Sequence, residues 1–414
     1  MLSEFFESPA RIRALRDGPA GPMFDEFART LSRAGYARIT ARRHLRAAEH
    51  LVYWAARKSI PVDDLSEQHL DRFGRHLTRC RCPNYGRSAH LEVRCGARMF
   101  LKCLEQAGVV KAVIKSTVED LPLLTDFCQW MRERRGTSEG TLYNYGIHIR
   151  ELLQKLGEEP SNFEARSLRK FVMDATGERG LAAATTRVTA LRMFLRFLIA
   201  EGECAVGLDA AIPVLAHWRL AALPRYLQED EVERVIATCD PTTPVGQRDR
   251  AILLLLARLG LRAGDVVGLR LCDLDWRGAW IHVCGKNRSH TRLPLTQEIG
   301  QALVAYLQDG RPRSKDDAVF VRSRAPYRAL RSHCAVSAIV DRALRRAAVT
   351  RPSRGAAHLL RHSVATSMLR HGASLQDIAV LLRHRSIETT QIYAKVDVTS
   401  LRKIAQPWPE LSSC

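Results

Sequence analysis

Four side chains near the end of the sequence have types and spacing that suit chemistry on a phosphodiester: His358, Arg361, His384 and Tyr393. His358 and Arg361 are three residues apart, a spacing that places two side chains on one face of a helix. A guanidinium can bind two phosphate oxygens in a planar fork, and imidazoles can donate to or accept from the others. The phenol can then attack phosphorus and form a covalent phosphotyrosine.

The C-terminal half, over about residues 227–400, resembles the tyrosine recombinase (phage integrase) family, and the domain before it does so more weakly. The resemblance rests on three segments, which are His358-Leu359-Leu360-Arg361, Leu381-Leu382-Arg383-His384 and Thr389-Thr390-Gln391-Ile392-Tyr393. It implies six catalytic residues, with Tyr393 as the nucleophile: Arg262, Lys286, His358, Arg361, His384 and Tyr393. Two positions depart from the family pattern. Arg383 stands where a Gly is normal, and Asp265, expected to support a guanidinium, stands where a Glu is more usual.

Two short strands, about Trp280–Cys284 and Arg292–Leu295, are predicted to form a hairpin whose turn is rich in cations. Such a tip can reach a DNA groove. By resemblance, Lys286 donates a proton to the leaving 5′ oxygen. Arg288 and Arg292 are candidate DNA-binding residues, as is Arg225 in the linker before the catalytic domain.

The resemblance also implies the reaction. Tyr393 attacks a phosphodiester of double-stranded DNA, giving a 3′-phosphotyrosine and a free 5′ hydroxyl, and a hydroxyl of a partner strand reverses the step. The bond energy stays in the phosphotyrosine, so neither ATP nor any other cofactor is expected, and no metal, because two guanidiniums can neutralise the transition state. Relatives act as four protomers on two sites, which implies a homo-oligomer on DNA, a tetramer in synapsis, with other recombinase subunits left open. A mobile-element enzyme is favoured.

Composition agrees with a polyanionic partner. The 414 residues include 64 Lys and Arg against 44 Asp and Glu, a net charge of +20. Such an excess favours nucleic-acid binding over a merely well-solvated surface. No apolar run long enough to span a membrane and no signal peptide are evident, so a bacterial cytoplasmic location is expected. The 11 scattered Cys are typical of reduced thiols.

Hydrophobic periodicity is helical through most of the chain, which predicts a mainly α fold with a small antiparallel β-sheet. Helical DNA-clamping domains would precede a mixed α+β catalytic domain. The predicted divisions are a loosely ordered lead-in (1–20), an N-terminal helical domain (21–115), a core-binding helical domain (116–210), a linker (211–226), a catalytic domain (227–396) and a tail (397–414).

The two helical domains resemble each other. The run from Arg98 to Leu104 is echoed 94 residues later by the run from Arg192 to Leu198, which favours a duplicated module over chance similarity. Four thiols in the first copy could hold zinc, namely Cys80, Cys82, Cys95 and Cys103. Their spacing is uncommon for zinc sites, and the repeat aligns Cys103 with the apolar Phe197, so buried thiols are favoured over a metal site.

Two other functions remain open at this point. A type IB topoisomerase-like enzyme would use the same chemistry to relax DNA without a partner site. A non-catalytic DNA-binding subunit could share the fold, although it would have no need to keep Tyr393.

Overall fold

The computed structural model describes residues 1–83, 85, 90–111, 121–179, 181–215, 223–285, 290–350, 355–384 and 386–396. Most of these residues are helical, and three short strands form one antiparallel sheet in the order β1-β2-β3. The predicted fold class is confirmed. Two compact units are present: Met1–Ala112 together with Leu220–Cys414, and Val113–Arg219.

The described residues of the N-terminal module form six α-helices: α1 (Leu2–Phe5), α2 (Pro9–Arg16), α3 (Gly21–Arg33), α4 (Arg38–Ala56), α5 (Glu67–Leu77) and α6 (His90–Gln106). Helix α6 packs against α3, α4 and α5. At its centre the buried ring of Phe100 stacks on Phe24 at 5.1 Å and meets Phe27 edge-on at 5.3 Å.

The prediction of a loosely ordered lead-in was wrong for residues 1–20. Helices α1 and α2 belong to the core of this module, because Leu2, Phe5 and Leu15 are buried against it. Ser8 caps α2 by accepting a hydrogen bond from the Arg11 amide. The apolar side chains of residues 1–20, which precede the first strongly helical pattern of the sequence, therefore pack onto the module.

Within the part of the second unit that the structure describes there are four α-helices: α7 (Pro122–Arg135), α8 (Glu139–Leu156), α9 (Ala165–Arg179) and α10 (Leu181–Ala200). The buried ring of Phe194 on α10 meets Phe127 on α7 edge-on at 5.5 Å. Phe194 thus occupies a core position like that of Phe100, and Phe197 is buried like Cys103. These matching core positions are what the duplication hypothesis requires, and common ancestry of the modules stays a prediction.

Seven α-helices are present among the described residues of the catalytic region: α11 (Glu229–Ala237), α12 (Pro244–Leu259), α13 (Ala263–Gly268), α14 (Gln297–Ala305), α15 (His333–Arg346), α16 (Ala356–Arg370) and α17 (Leu375–Leu382). Helix α12 is the centre of the core and packs against α14 and α16. Its apolar run from Ala251 to Ala257 is buried throughout, as a core helix requires. A five-residue π-helical segment, Tyr306–Gly310, follows α14.

The sheet consists of β1 (Leu274–Asp275), β2 (Trp280–Cys284) and β3 (His290–Pro294). The hairpin prediction is confirmed for β2, while β3 begins two residues before the predicted strand, and β1 was not predicted. Arg292 lies opposite His282 with its side chain exposed. Lys286 and Arg288 lie outside the described residues, as does the tail from residue 397.

Two further contacts organise the larger unit. The Leu227 amide donates to the Ser363 hydroxyl at 2.8 Å, which fixes the start of the catalytic region to α16. Gly35, after α3, lies so close to Tyr327 that a Cβ would come within 2.4 Å of the ring. None of the helices in the described part of the chain has both the length and the apolar character needed to cross a bilayer.

Candidate active site

Arg361 is the central cation of the site. It lies on α16, is only 4% exposed, and donates from Nη1 to the Gly260 carbonyl and from Nη2 to the Leu382 carbonyl. These carbonyls lie at the C-terminal ends of α12 and α17, where the helix dipole is negative. Burial, and then the neighbouring Arg262, lower the pKa of Arg361 to about 10, so the group is still charged at neutral pH.

Arg262 approaches the same place from the break between α12 and α13. It is the N-cap residue of α13, and its guanidinium donates to the Arg383 carbonyl at 3.2 Å. Burial lowers the pKa of Arg262, and Asp265 opposes that shift. Two guanidiniums therefore converge on the chain segment that precedes His384.

The close approach of α12 and α17 requires a glycine at position 260. Gly260 ends α12 with φ +58°, and a Cβ there would lie 2.6 Å from Cδ2 of Leu382. Any other residue at position 260 would therefore have to adopt an unfavourable left-handed backbone conformation, and its Cβ would also clash with Leu382. This glycine lets the two helix ends share the Arg361 guanidinium.

Asp265 connects both sides of the site. Its carboxylate accepts a hydrogen bond from the Arg262 backbone amide at 3.0 Å, and it forms an ion pair with the Arg383 guanidinium. The sequence predicted that Asp265 supports a guanidinium. In the structure this guanidinium is that of Arg383, whereas Asp265 contacts only the backbone amide of Arg262.

Arg383 stands where the family resemblance implies a glycine, and its backbone conformation is one that favours glycine. Its φ is +53°, in the left-handed region that costs a non-glycine residue energy. The ion pair with Asp265 is the compensating contact here. Arg383 Nε and Nη1 are buried without a hydrogen-bond partner among the described residues, so the Asp265 carboxylate is the main compensation for this buried cation.

His384 follows directly and is oriented by a side chain from the next turn. Its Nδ1 lies 2.8 Å from Oγ1 of Thr390, which is fully buried. Burial, followed by the charges of Arg361 and Arg262, lowers the pKa of His384 to about 4. The imidazole is therefore neutral at pH 7.

Tyr393 is buried in a short 3₁₀ segment, Gln391–Val396, with 1% of its surface exposed. Its ring packs in an apolar cluster with Ala365, Ile378 and Leu382. Burial raises the pKa of Tyr393 to about 12, and the charge of Arg361 opposes this. The phenol therefore carries its proton at neutral pH.

The partner of the Tyr393 hydroxyl is His362, at 2.8 Å from its Nδ1. Sequence reasoning missed this residue, because the motif directs attention to His358 and Arg361. A signal was present, since His362 stands four residues after His358, one helical turn further on. Burial, then His358 and Arg361, lower the pKa of His362 to about 4, so this ring is also neutral at pH 7.

His358 has a more open position. Its side chain reaches solvent at the start of α16, and its ring centroid lies 6.4 Å from that of His362. Desolvation by the neighbouring atoms, then Arg361 and Arg262, lower the pKa of His358. Among the contacts of the described residues, none joins His358 to Tyr393.

The structure thus brings together five of the predicted side chains, which are Arg262, Asp265, Arg361, His384 and Tyr393, with His358 at the rim. Arg225 and Arg292 are both exposed. Three guanidiniums lie near one carboxylate, although only that of Arg383 is paired with it, and this excess of positive charge suits a phosphodiester. In the described part of the chain, the side chains grouped closely enough to share a metal ion lie in the N-terminal module.

Known proteins resemble this chain over the same regions. A family model described as the phage integrase family matches residues 225–399, and one described as the phage integrase N-terminal SAM-like domain matches residues 124–202. The integrase/recombinase y4rA of Sinorhizobium fredii is 34% identical over 95% of this chain and 95% of its own length. The tyrosine recombinase XerD of Lacticaseibacillus casei is 30% identical over 66% of this chain and 92% of its own length.

Solved structures share the fold. The XerH site-specific recombinase, bound to a palindromic difH substrate, covers 81% of this chain and 93% of its own with a TM-score of 0.55 at 20% identity. A lambda integrase dimer bound to a COC′ core site covers 65% of this chain and 93% of its own with a TM-score of 0.52 at 19% identity. Because y4rA matches nearly the whole length of this chain, the chain belongs to the phage integrase family of tyrosine recombinases.

Proposed function

We propose that this chain is a site-specific recombinase that cuts and rejoins DNA by transesterification through Tyr393. The phenol oxygen attacks phosphorus, the bond to the 5′ oxygen breaks, and a 3′-phosphotyrosine forms. The observation that carries the proposal is the environment of Tyr393: a buried phenol 2.8 Å from an imidazole nitrogen and in the field of a buried guanidinium.

Arg361 and Arg262 are the proposed ligands of the scissile phosphate. A guanidinium has five N–H donors, and the two carbonyls of Gly260 and Leu382 engage two donors of Arg361. The group can therefore be held rigidly by the protein and still donate to phosphate oxygens. A preorganised cation stabilises the charge that builds up on those oxygens, and loss of one such stabiliser typically slows a reaction about 10²–10³-fold.

His362 is the proposed acceptor of the phenol proton, ahead of His358 and His384. Its Nδ1 contacts the hydroxyl, whereas the Nδ1 of His384 contacts Thr390. With pKa values of about 12 for Tyr393 and about 4 for His362, complete proton transfer before attack would cost on the order of 10 kcal/mol. We therefore infer that the proton leaves the phenol as the oxygen–phosphorus bond forms.

The leaving 5′ oxygen needs a proton, which the family resemblance assigns to Lys286, outside the described residues. A 5′ hydroxyl of a partner strand would then attack the phosphotyrosine, release Tyr393 and complete strand exchange. Each step exchanges one phosphoester bond for another. The chemistry is therefore proposed to need neither ATP nor a catalytic metal.

Double-stranded DNA is the proposed substrate, and a homo-oligomer, a tetramer in synapsis, is the proposed active assembly. The net charge of +20 favours a polyanion, and Arg225 and Arg292 are exposed on the catalytic region. A related fold occurs in a lambda integrase tetramer bound to a Holliday junction, with a TM-score of 0.52.

Covalent trapping on nicked suicide duplexes, drawn from the DNA that flanks the gene, tests the proposal. Wild-type protein should give a slow band on a denaturing gel, and Tyr393→Phe should give none. Tyr306→Phe is the matched control, because Tyr306 is a fully buried tyrosine of the same region whose hydroxyl contacts the Val321 amide. A band that persists in Tyr393→Phe would overturn the assignment. Wild-type protein that binds DNA without a band would instead favour a non-catalytic subunit.

A further inference from the structure

A second group of reactive side chains lies in the N-terminal module, apart from the residues discussed above. His50 is on α4, His76 is in the last turn of α5, and Cys80 and Cys82 are in the turn that follows α5. One ligand atom from each residue lies within 4.8 Å of all the others. We call these four residues the His50–Cys82 cluster.

Two of the separations inside the cluster match those of ligands around one ion, and the remaining ones are no longer than 4.8 Å. Cys80 Sγ lies 3.4 Å from His50 Nε2, and Cys82 Sγ lies 3.4 Å from His76 Nε2. Tetrahedral zinc with bonds of about 2.0–2.3 Å has ligand atoms about 3.3–3.8 Å apart. Both histidines direct the same ring nitrogen toward sulfur.

We propose that the His50–Cys82 cluster binds a structural zinc ion through two thiolates and two imidazoles. Four protein ligands form a closed tetrahedral set, which is typical of structural rather than catalytic zinc. Two thiolates balance the charge of the ion. The ion would tie the end of α5 and the segment after it to α4.

The surroundings support a fixed site. His50 is 5% exposed, and its ring is held between Phe73, edge-on at 5.1 Å, and Tyr85, stacked at 4.2 Å. The Cys82 amide donates to Cys80 Sγ at 3.4 Å, an outer hydrogen bond of the kind that steadies a metal-bound thiolate. Cys80 and Cys82 are only half-buried, which leaves a path for an ion to enter.

The ligand set differs from the one considered from sequence. Cys103 is buried in the module core, as predicted, but Cys95 is exposed on the outer face of α6, so the prediction of a buried thiol was wrong there. Neither belongs to the cluster. The two ligands beside Cys80 and Cys82 are instead histidines that precede them in the chain. The proposal of a zinc site replaces the preference for buried, metal-free thiols that was drawn from the sequence.

Metal analysis of the full chain, purified without a histidine tag, tests the proposal directly. We expect about one zinc ion per chain, released when a mercurial reagent blocks the thiols. Cys80→Ser and Cys82→Ser should each lower bound zinc at least about tenfold. Cys95→Ser is the matched control, because it removes a nearby exposed thiol outside the cluster and should keep the full zinc content.

Cobalt exchange and chelation provide readouts that do not depend on how the variants fold. The cobalt-loaded wild type should show a thiolate-to-cobalt charge-transfer band and the intense d–d bands of a tetrahedral ion. A strong chelator should lower the thermal midpoint of the wild type by several degrees.

Wild-type protein that holds neither zinc nor cobalt, and whose midpoint ignores the chelator, would overturn the proposal. The short contacts would then be thiol–imidazole hydrogen bonds. Zinc retained at full content in both Cys80→Ser and Cys82→Ser would place the ion elsewhere and also overturn it. Covalent trapping at Tyr393 is independent of either result.

Discussion

Replacement of Asp265 by Ala tests whether one buried ion pair holds the candidate active site together. The side chains of Asp265 and Arg383 are each 6% exposed. Removal of one partner of such a pair leaves an uncompensated charge and costs about 3–5 kcal/mol. We expect a large loss of stability here because Nε and Nη1 of Arg383 have no hydrogen-bond partner among the described residues. The Arg262 amide would also lose its acceptor.

The matched control is Asp317→Ala, which removes the partner of Arg270 on the surface of the same region. Those side chains are 70% and 47% exposed, and such pairs contribute about 0–1 kcal/mol. Urea unfolding followed by circular dichroism should show a fall in the free energy of unfolding several times larger for Asp265→Ala than for Asp317→Ala. Covalent-complex formation should fall as well, because Arg262 and the segment before His384 both lose an anchor.

A double variant separates the charge effect from general damage. Asp265→Ala combined with Arg383→Met removes both charges and keeps a long side chain, so it should recover at least half of the lost free energy. Equal losses for Asp265→Ala and Asp317→Ala would refute the reasoning. A double variant no more stable than Asp265→Ala alone would show that the carboxylate acts through the α13 cap rather than through Arg383.

Three other perturbations have defined outcomes. Gly260→Ala should destabilise by about 1–3 kcal/mol, since it combines φ +58° with a clash, whereas Gly264→Ala, with open space around it, should be neutral or stabilising in urea titrations. His362 and His384 have pKa values lowered from 6.5 to about 4, so the unfolded chain takes up protons that the folded chain excludes, and stability should fall between pH 6.5 and 4 by on the order of 3 kcal/mol per histidine. His384→Gln should flatten that pH profile in calorimetry, and an unchanged profile would contradict the assignment. DNA affinity should fall linearly on a log–log plot against salt, and Arg225→Ala should reduce the slope by about one in fluorescence anisotropy if it contacts phosphate.

The sequence alone predicted the fold class, which is confirmed, and it named Arg262, Arg361, His384 and Tyr393, which the structure places close together and whose catalytic roles stay a prediction. The fold class followed from helical periodicity, which is local, whereas the four residues followed from the resemblance to the tyrosine recombinase family. The apolar run within α12 and the hairpin strand β2 were read from neighbours in the chain, and both are confirmed.

Tertiary structure decided which side chains meet. His358, His362 and His384 are chemically equivalent in the sequence, but only the packing of the Tyr393 segment against α16 selects His362 as the contact of the hydroxyl. The left-handed backbone of Arg383 is compensated by Asp265, more than a hundred residues earlier in the chain.

Tertiary packing also decided which side chains form the His50–Cys82 cluster. Spacing within the chain grouped Cys80 and Cys82 with Cys95 and Cys103, because all four lie in one stretch. Packing of α5 on the module core brought in His50 and His76 instead, while the helical turn of α6 directed Cys95 outward. Sequence periodicity determines the face of a helix on which a residue lies, and only the packing between helices determines what that face meets.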